Sequence, residues 1–151
     1  MFPPETAHYL SLNALKTLSF LHFKEARPIV SDNIEILGLD FQNRLGLAAG
    51  MDKNADYINS LSYLGFGFLE LGTLTPRAQS GNIKPRLFRL RDERSLINNM
   101  GFNNKGIEHA VLKIKNSMSK AVIGLSIGKN QDTPLRKALE DYLFCLVKAY
   151  P

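Results

Sequence analysis

The chain has 151 residues, 44% hydrophobic and 22% charged, with one cysteine and a formal net charge of +5 from nineteen Lys+Arg against fourteen Asp+Glu. This composition suits one globular domain with a real core and excludes a disordered or low-complexity chain. A lone Cys145 rules out an intrachain disulfide and points to a reducing compartment, while the positive balance is compatible with an acidic small molecule, a membrane surface or nucleic acid.

From Glu5 to Phe23, just after Pro3-Pro4, Leu10, Ala14, Leu18 and Leu21 recur at helical spacing, widened by Tyr9, Leu12, Leu15 and Phe20. The pattern predicts a helix whose apolar face either packs on the main domain or meets a membrane interface or an apolar cosubstrate. No apolar run approaches the roughly 18 to 20 residues of a membrane span, and no signal-peptide pattern opens the chain, so a soluble or peripheral protein is expected. After Arg27-Pro28, the alternation Ile34-Glu35-Ile36-Leu37-Gly38-Leu39 predicts a strand or hairpin.

From Leu45 the pattern becomes regular. Strands are predicted at Leu45 to Gly50, Phe68 to Thr73 and Ala121 to Ile127, followed by helices near Ala55 to Leu64, Lys105 to Met118 and Pro134 to Tyr150. Successive βα units imply a parallel sheet, and parallel α/β folds bind ligands at the carboxyl ends of their strands. Three endings therefore belong to one candidate site: Ala49-Gly50-Met51-Asp52-Lys53, Gly72-Thr73 and Gly128-Lys129-Asn130. In the first, Gly46, Ala48, Ala49 and Gly50 put almost no side chain between the backbone and its neighbours. They serve either a planar ligand with Lys53 at its rim or close packing of elements.

Two phosphate-loop patterns fail. Gly124 to Asn130 has three residues where a P-loop has four between its glycines and no hydroxyl residue after its lysine, and Gly65-Phe66-Gly67 precedes a strand instead of leaving one. His8, His22 and His109 lack metal-ligand spacing, with or without Cys145, and no metal is expected. The stretch Lys84 to Arg94 reads as a nucleic-acid patch, a strand with one charged face or part of an anion site. Its two acids and single aromatic argue against nucleic acid. Leu96 to Asn104 surrounds a Met-Gly-Phe turn with four asparagines, whose amides suit a small polar ligand or simply cap turns. The long connection from Thr73 to Lys105 suggests an active-site lid or a small β excursion.

In order, Leu45 to Lys53, Gly72-Thr73-Leu74-Thr75-Pro76-Arg77, Pro85-Arg86-Leu87-Phe88-Arg89, Ile97 to Asn103 and Ile127-Gly128-Lys129-Asn130 resemble dihydroorotate dehydrogenase of the quinone-linked, membrane-associated class 2. The resemblance implies the N-terminal portion of a (β/α)₈ barrel. It divides the chain into a helical segment at 1–27 on the membrane and quinone side and barrel sequence at 28–151. It also implies oxidation of dihydroorotate to orotate in pyrimidine synthesis through FMN, with a membrane quinone as acceptor and, if the chain is bacterial, a peripheral place on the cytoplasmic face of the inner membrane.

By resemblance, Ala49, Gly50, Met51, Asp52 and Lys53 line FMN, Thr73 contacts it, and Lys53 also reaches the substrate. Asn98, Asn99, Met100, Gly101 and Phe102 match the substrate-binding segment, with the Asn98 amide toward the pyrimidine ring, while His8 and Arg89 fall near the quinone channel. Ser126 stands where the family usually has an FMN-contacting asparagine. About three of the eight βα units precede Pro151, and the family's catalytic serine base lies beyond it, so the chain alone is expected to be inactive. The alternatives are a stand-alone half-barrel that binds an anionic ligand or complements a second fragment, and a basic RNA-binding domain around Lys84 to Arg94.

Overall fold

The computed structural model describes residues 2–22 and 32–150. The predicted helix end at Phe23, the pattern change after Arg27-Pro28 and the division at 27/28 lie outside the described residues.

The first helix, α1, spans Pro4–His22. Proline suits this start, because the N–H it lacks would have no partner in a first helical turn. The inward line of α1 is His8, Leu12, Leu15 and Ser19, and among these Leu12 is fully buried. Part of the apolar stripe read from the sequence points outward instead: Leu10, Leu18 and Phe20 are 49%, 52% and 90% exposed. Polar contacts complete the docking, with Tyr57 Oη donating to Asn13 Oδ1 at 2.9 Å and the Ser19 and Ser60 hydroxyls 2.8 Å apart.

Strands β1 (Ile34–Ile36) and β2 (Leu39–Phe41) form an antiparallel hairpin, turned by Leu37 and Gly38 at φ 54° and 76°. Then follow β3 (Gly46–Leu47), α2 (Ile58–Ser62), β4 (Phe68–Leu74), β5 (Leu87–Leu90), β6 (Ser95–Asn98), α3 (Ile107–Lys115), β7 (Val122–Ile127) and, after a 3₁₀ turn at Leu135–Lys137, α4 (Ala138–Ala149). Strands β3, β4 and β7 make one parallel sheet in that order. The excursion between Thr73 and Lys105 carries the antiparallel β5–β6 pair. The architecture is a mixed α/β fold with a parallel sheet and an N-terminal helix, consistent with a partial (β/α)₈ barrel.

The core lies between the sheet and its helices. Leu69, Leu71 and Leu74 of β4 are fully buried against Ile58 and Leu61 of α2, Ile107 and Ala110 of α3, Cys145 of α4 and Leu12. Burial pushes the Cys145 thiol up to about 11, which leaves it unreactive core filler. On the other face, the Phe68 ring lies against Gly46, where an added Cβ would overlap it, and meets Phe41 of the hairpin edge-on at 5.7 Å. Gly46 is therefore a packing glycine, and the hairpin covers the amino end of the sheet.

Helix α2 is shorter than the predicted span of Ala55 to Leu64. The Asp52 carboxylate takes the N–H groups of Asn54, Asp56 and Tyr57, and Ala55 adopts φ 61°, so the chain coils before it becomes helical.

Candidate functional site

The three strand endings converge as the parallel pattern requires. Gly50 N–H donates to Gly72 O at 2.8 Å, Gly72 N–H to Asp52 O at 3.0 Å and Gly128 N–H to Leu74 O at 2.8 Å, so backbone bonds lace the ends of β3, β4 and β7 together. An added Cβ on Gly50, at φ 103°, would meet nothing within 4 Å: this stretch of backbone faces open space. Lys53 folds back over it and donates Nζ to Gly50 O at 2.6 Å. Burial holds the Lys53 ammonium below its ordinary range, while Glu5 favours its charge and Arg86 opposes it.

Other members of this ending differ in role. Met51 is 41% exposed beside the open face. Asp52 is 2% exposed and its carboxylate is committed to the three loop amides, so its side chain shapes the loop that presents Lys53. Burial pushes its carboxyl above the ordinary range despite those bonds. Ala49 N–H reaches Glu70 Oε2 at 3.4 Å, and the hydroxyls of Thr73 and Ser126 meet at 2.9 Å.

The asparagine cluster divides between two jobs. Asn104 is buried: Oδ1 accepts Thr75 and Gly106 N–H at 3.2 and 2.8 Å, and Nδ2 donates to Thr75 Oγ1 and Phe102 O at 2.9 and 2.7 Å. Asn98 and Asn99 lie on the exposed side. Asn98 Oδ1 accepts Met100 N–H at 3.0 Å, Asn99 Oδ1 accepts Asn82 Nδ2 at 2.9 Å, and Asn99 N–H donates to Arg86 O at 2.9 Å. Met100 is buried, its carbonyl lying against Gly81, and Phe102 is 56% exposed. Among the described residues, Asn103 Oδ1 is the buried side-chain acceptor left without a donor.

His8 and Arg89 lie on the two elements that form the α1–β5 seam. Burial and the Lys53 charge hold the His8 ring below its usual range, against Asp52 and Glu5, and Arg89 Nη1 donates to Phe2 O at 2.8 Å. Arg86, which an RNA-binding surface would need outside, is only 5% exposed. His109 Nε2 pairs with Asp56 at 2.8 Å; no metal-ligand cluster occurs among the described residues.

Two further supports emerge: a fastening role for Asn130, which the sequence places only at a strand ending, and Asp56, which it does not single out. Asn130 Oδ1 accepts Arg77 N–H at 3.0 Å, while Nδ2 reaches Thr75 Oγ1 and Gln79 Oε1 at 3.1 and 2.9 Å, so it fastens the β7 ending to the β4 ending. Asp56 bonds Lys105 Nζ and His109 Nε2, tying the Lys53 loop to α3. The place of Asn130 just after a predicted strand was its available signal. Asp56 offered none, since its partners are about fifty residues away in sequence.

The family model described as dihydroorotate dehydrogenase matches residues 32–151. The chain is 54% identical over 147 residues to "Dihydroorotate dehydrogenase (quinone)" of Nitrosospira multiformis, covering 97% of this chain and 42% of that protein. The protein of the same name from Saccharophagus degradans is 50% identical over 148 residues, with 97% and 44% covered. Among solved structures, DHODH from Eimeria tenella in complex with ferulenol aligns with a TM-score of 0.76 at 36% identity, over 92% of this chain and 39% of that one. Its ligand-free form gives 0.78 at 36% identity, over 95% and 41%. The chain thus spans under half the length of the relatives it matches.

Proposed function

The chain belongs to the dihydroorotate dehydrogenase family, and on that premise we propose that it forms the first walls of a site that oxidises dihydroorotate to orotate in pyrimidine synthesis. FMN held there would supply the hydride-accepting and electron-relaying chemistry between dihydroorotate and a membrane quinone. The residues present fit that cofactor: Gly50 leaves one side of the backbone open, Lys53 places an ammonium over it, and Thr73 and Ser126 line the adjoining strand ends.

Ala49 and Gly50 would hold FMN through backbone that carries little or no side chain, Met51 through its exposed thioether side chain, Asp52 through its backbone, and Thr73 and Ser126 through their hydroxyls. Lys53 has two tasks in this reading. Its fixed positive charge stabilises electron density that accumulates on the cofactor, and it binds the orotate carboxylate. Asn98 to Phe102 orient the pyrimidine ring, with the Asn98 amide as the specific contact. No residue of these walls is assigned the removal of the substrate proton.

The α1–β5 seam, with His8 and Arg89, is the quinone side. The outward apolar residues of α1 suit peripheral contact with a membrane, here the cytoplasmic face of a bacterial inner membrane, and no helix among the described residues is long and apolar enough to cross one. The family match favours this reading over a stand-alone binding module, and buried Arg86 disfavours an RNA surface.

The observation that carries the reading is the Lys53–Gly50 contact at the converged strand ends. A chimera joining this chain to the rest of the Nitrosospira multiformis relative tests it: dihydroorotate-dependent quinone reduction is expected, and Lys53→Met is expected to abolish it. In the isolated chain β3 and β7 each pair on one side only among the described residues, and no turnover is expected.

A further inference from the structure

Arg86 is the most heavily bonded side chain between the N-terminal helix and the asparagine segment. Its guanidinium donates Nη2 to Glu5 Oε1 at 2.7 Å and Nε to Glu5 Oε2 at 3.3 Å. Nη1 donates to Ser80 O at 2.6 Å and Asn82 O at 2.9 Å. Asn82 in turn donates its N–H to Met100 O at 3.0 Å and Nδ2 to Asn99 O and Oδ1 at 3.0 and 2.9 Å. The Arg86 carbonyl accepts Asn99 N–H at 2.9 Å. A continuous set of bonds therefore runs from a carboxylate on α1 to the segment that carries the candidate substrate contacts.

We propose that Glu5 is a positioning residue: by neutralising buried Arg86 it holds Ser80 to Asn82 and, through them, Asn98 to Phe102 in place. Removing the carboxylate would leave a buried guanidinium uncompensated, and the loop carbonyls it gathers would be released as it seeks water. The planar fork matters as much as the charge, because one group must reach two carbonyls and a carboxylate at once. Lys84 Nζ, 3.3 Å from Glu5 Oε1 and 65% exposed, reinforces the pair without replacing it. The N-terminal helix is then part of the substrate side of the site as well as the quinone side.

The functional meaning of this inference rests on reading Asn98 to Phe102 as the substrate segment, but its test contains no substrate. Amide hydrogen exchange on the 151-residue chain should show about tenfold or more faster exchange at Asn82 and Asn99 in Glu5→Gln, with Leu69 and Leu71 of β4 unchanged. Glu5→Asp, which keeps the carboxylate, should restore much of the protection. Arg86→Lys, which keeps the charge but loses the fork, should not. Unchanged exchange at Asn82 and Asn99 in Glu5→Gln would overturn the proposal. So would equal acceleration in β4, which would make Glu5 a support of the whole fold, or full protection in Arg86→Lys. Failure of the chimera to oxidise dihydroorotate would instead overturn the reading of the site and leave the exchange result standing.

Discussion

Thr73 Oγ1 and Ser126 Oγ lie 2.9 Å apart, so a pair of hydroxyls joins the carboxyl ends of β4 and β7 on the proposed flavin wall. A serine there can satisfy Thr73 but offers less reach toward a cofactor than the asparagine usual in this family, which presents both a donor and an acceptor.

Ser126→Asn in the chimera should therefore tighten flavin retention several-fold, in line with a hydrogen bond worth about 1 kcal/mol. Fluorescence titration of the apo-protein with FMN checks this. Equal or weaker binding would mean that Ser126 is already fitted to the cofactor.

Gly46 and Gly50, four residues apart, should respond differently to alanine. At Gly46 the methyl meets the Phe68 ring, and a stability loss of about 1–3 kcal/mol is expected in denaturant unfolding, with flavin binding by the folded fraction unchanged. At Gly50 the methyl enters open space, with strain coming only from the positive φ. Its main effect should be lost flavin.

That contrast also shows what the sequence made legible. Three apolar strands, each followed by a helical pattern, located the sheet and its carboxyl ends, because hydrophobic periodicity is a local property. The same locality left the small residues from Gly46 to Gly50 undivided between packing and ligand, since the deciding neighbour of Gly46 is a ring on another strand. On α1 the periodicity found the helix but misjudged its inward line, because α2 is only five residues long and polar contacts through Asn13 and Ser19 take part in the docking. The Glu5–Arg86 pair joins residues 81 apart and carried no sequence signal.

Asp52→Ala should destabilise the chain by about 1–3 kcal/mol, because the carboxylate satisfies the amides of Asn54, Asp56 and Tyr57. The loss should be accompanied by faster exchange at those three amides, read by the same hydrogen-exchange method.

Acid should weaken the fold through Glu5 and Asp56. The Arg86 bond holds the Glu5 carboxyl below its ordinary 4.5. Burial raises Asp56, but bonds from Lys105 and His109 outweigh it and leave the carboxyl below 3.8. Each therefore contributes stability that is present above its unfolded value and is lost as pH falls through its folded one. Asp52, raised by burial, works in the opposite direction and blunts the loss. Thermal melts from pH 5 to pH 3 should fall less steeply in Glu5→Gln than in the unaltered chain; an identical slope would show that Glu5 does not contribute.

The most direct measurement is anaerobic mixing of dihydroorotate with the flavin-loaded chimera, comparing Lys53 with Lys53→Met. Bleaching of the yellow flavin with Lys53 present, and none or a rate lower by about a hundredfold or more with methionine, is the predicted result. Equal bleaching in both would contradict the central role given to Lys53, and no bleaching in either would contradict the assignment of this chain's strand ends to a dihydroorotate-oxidising site.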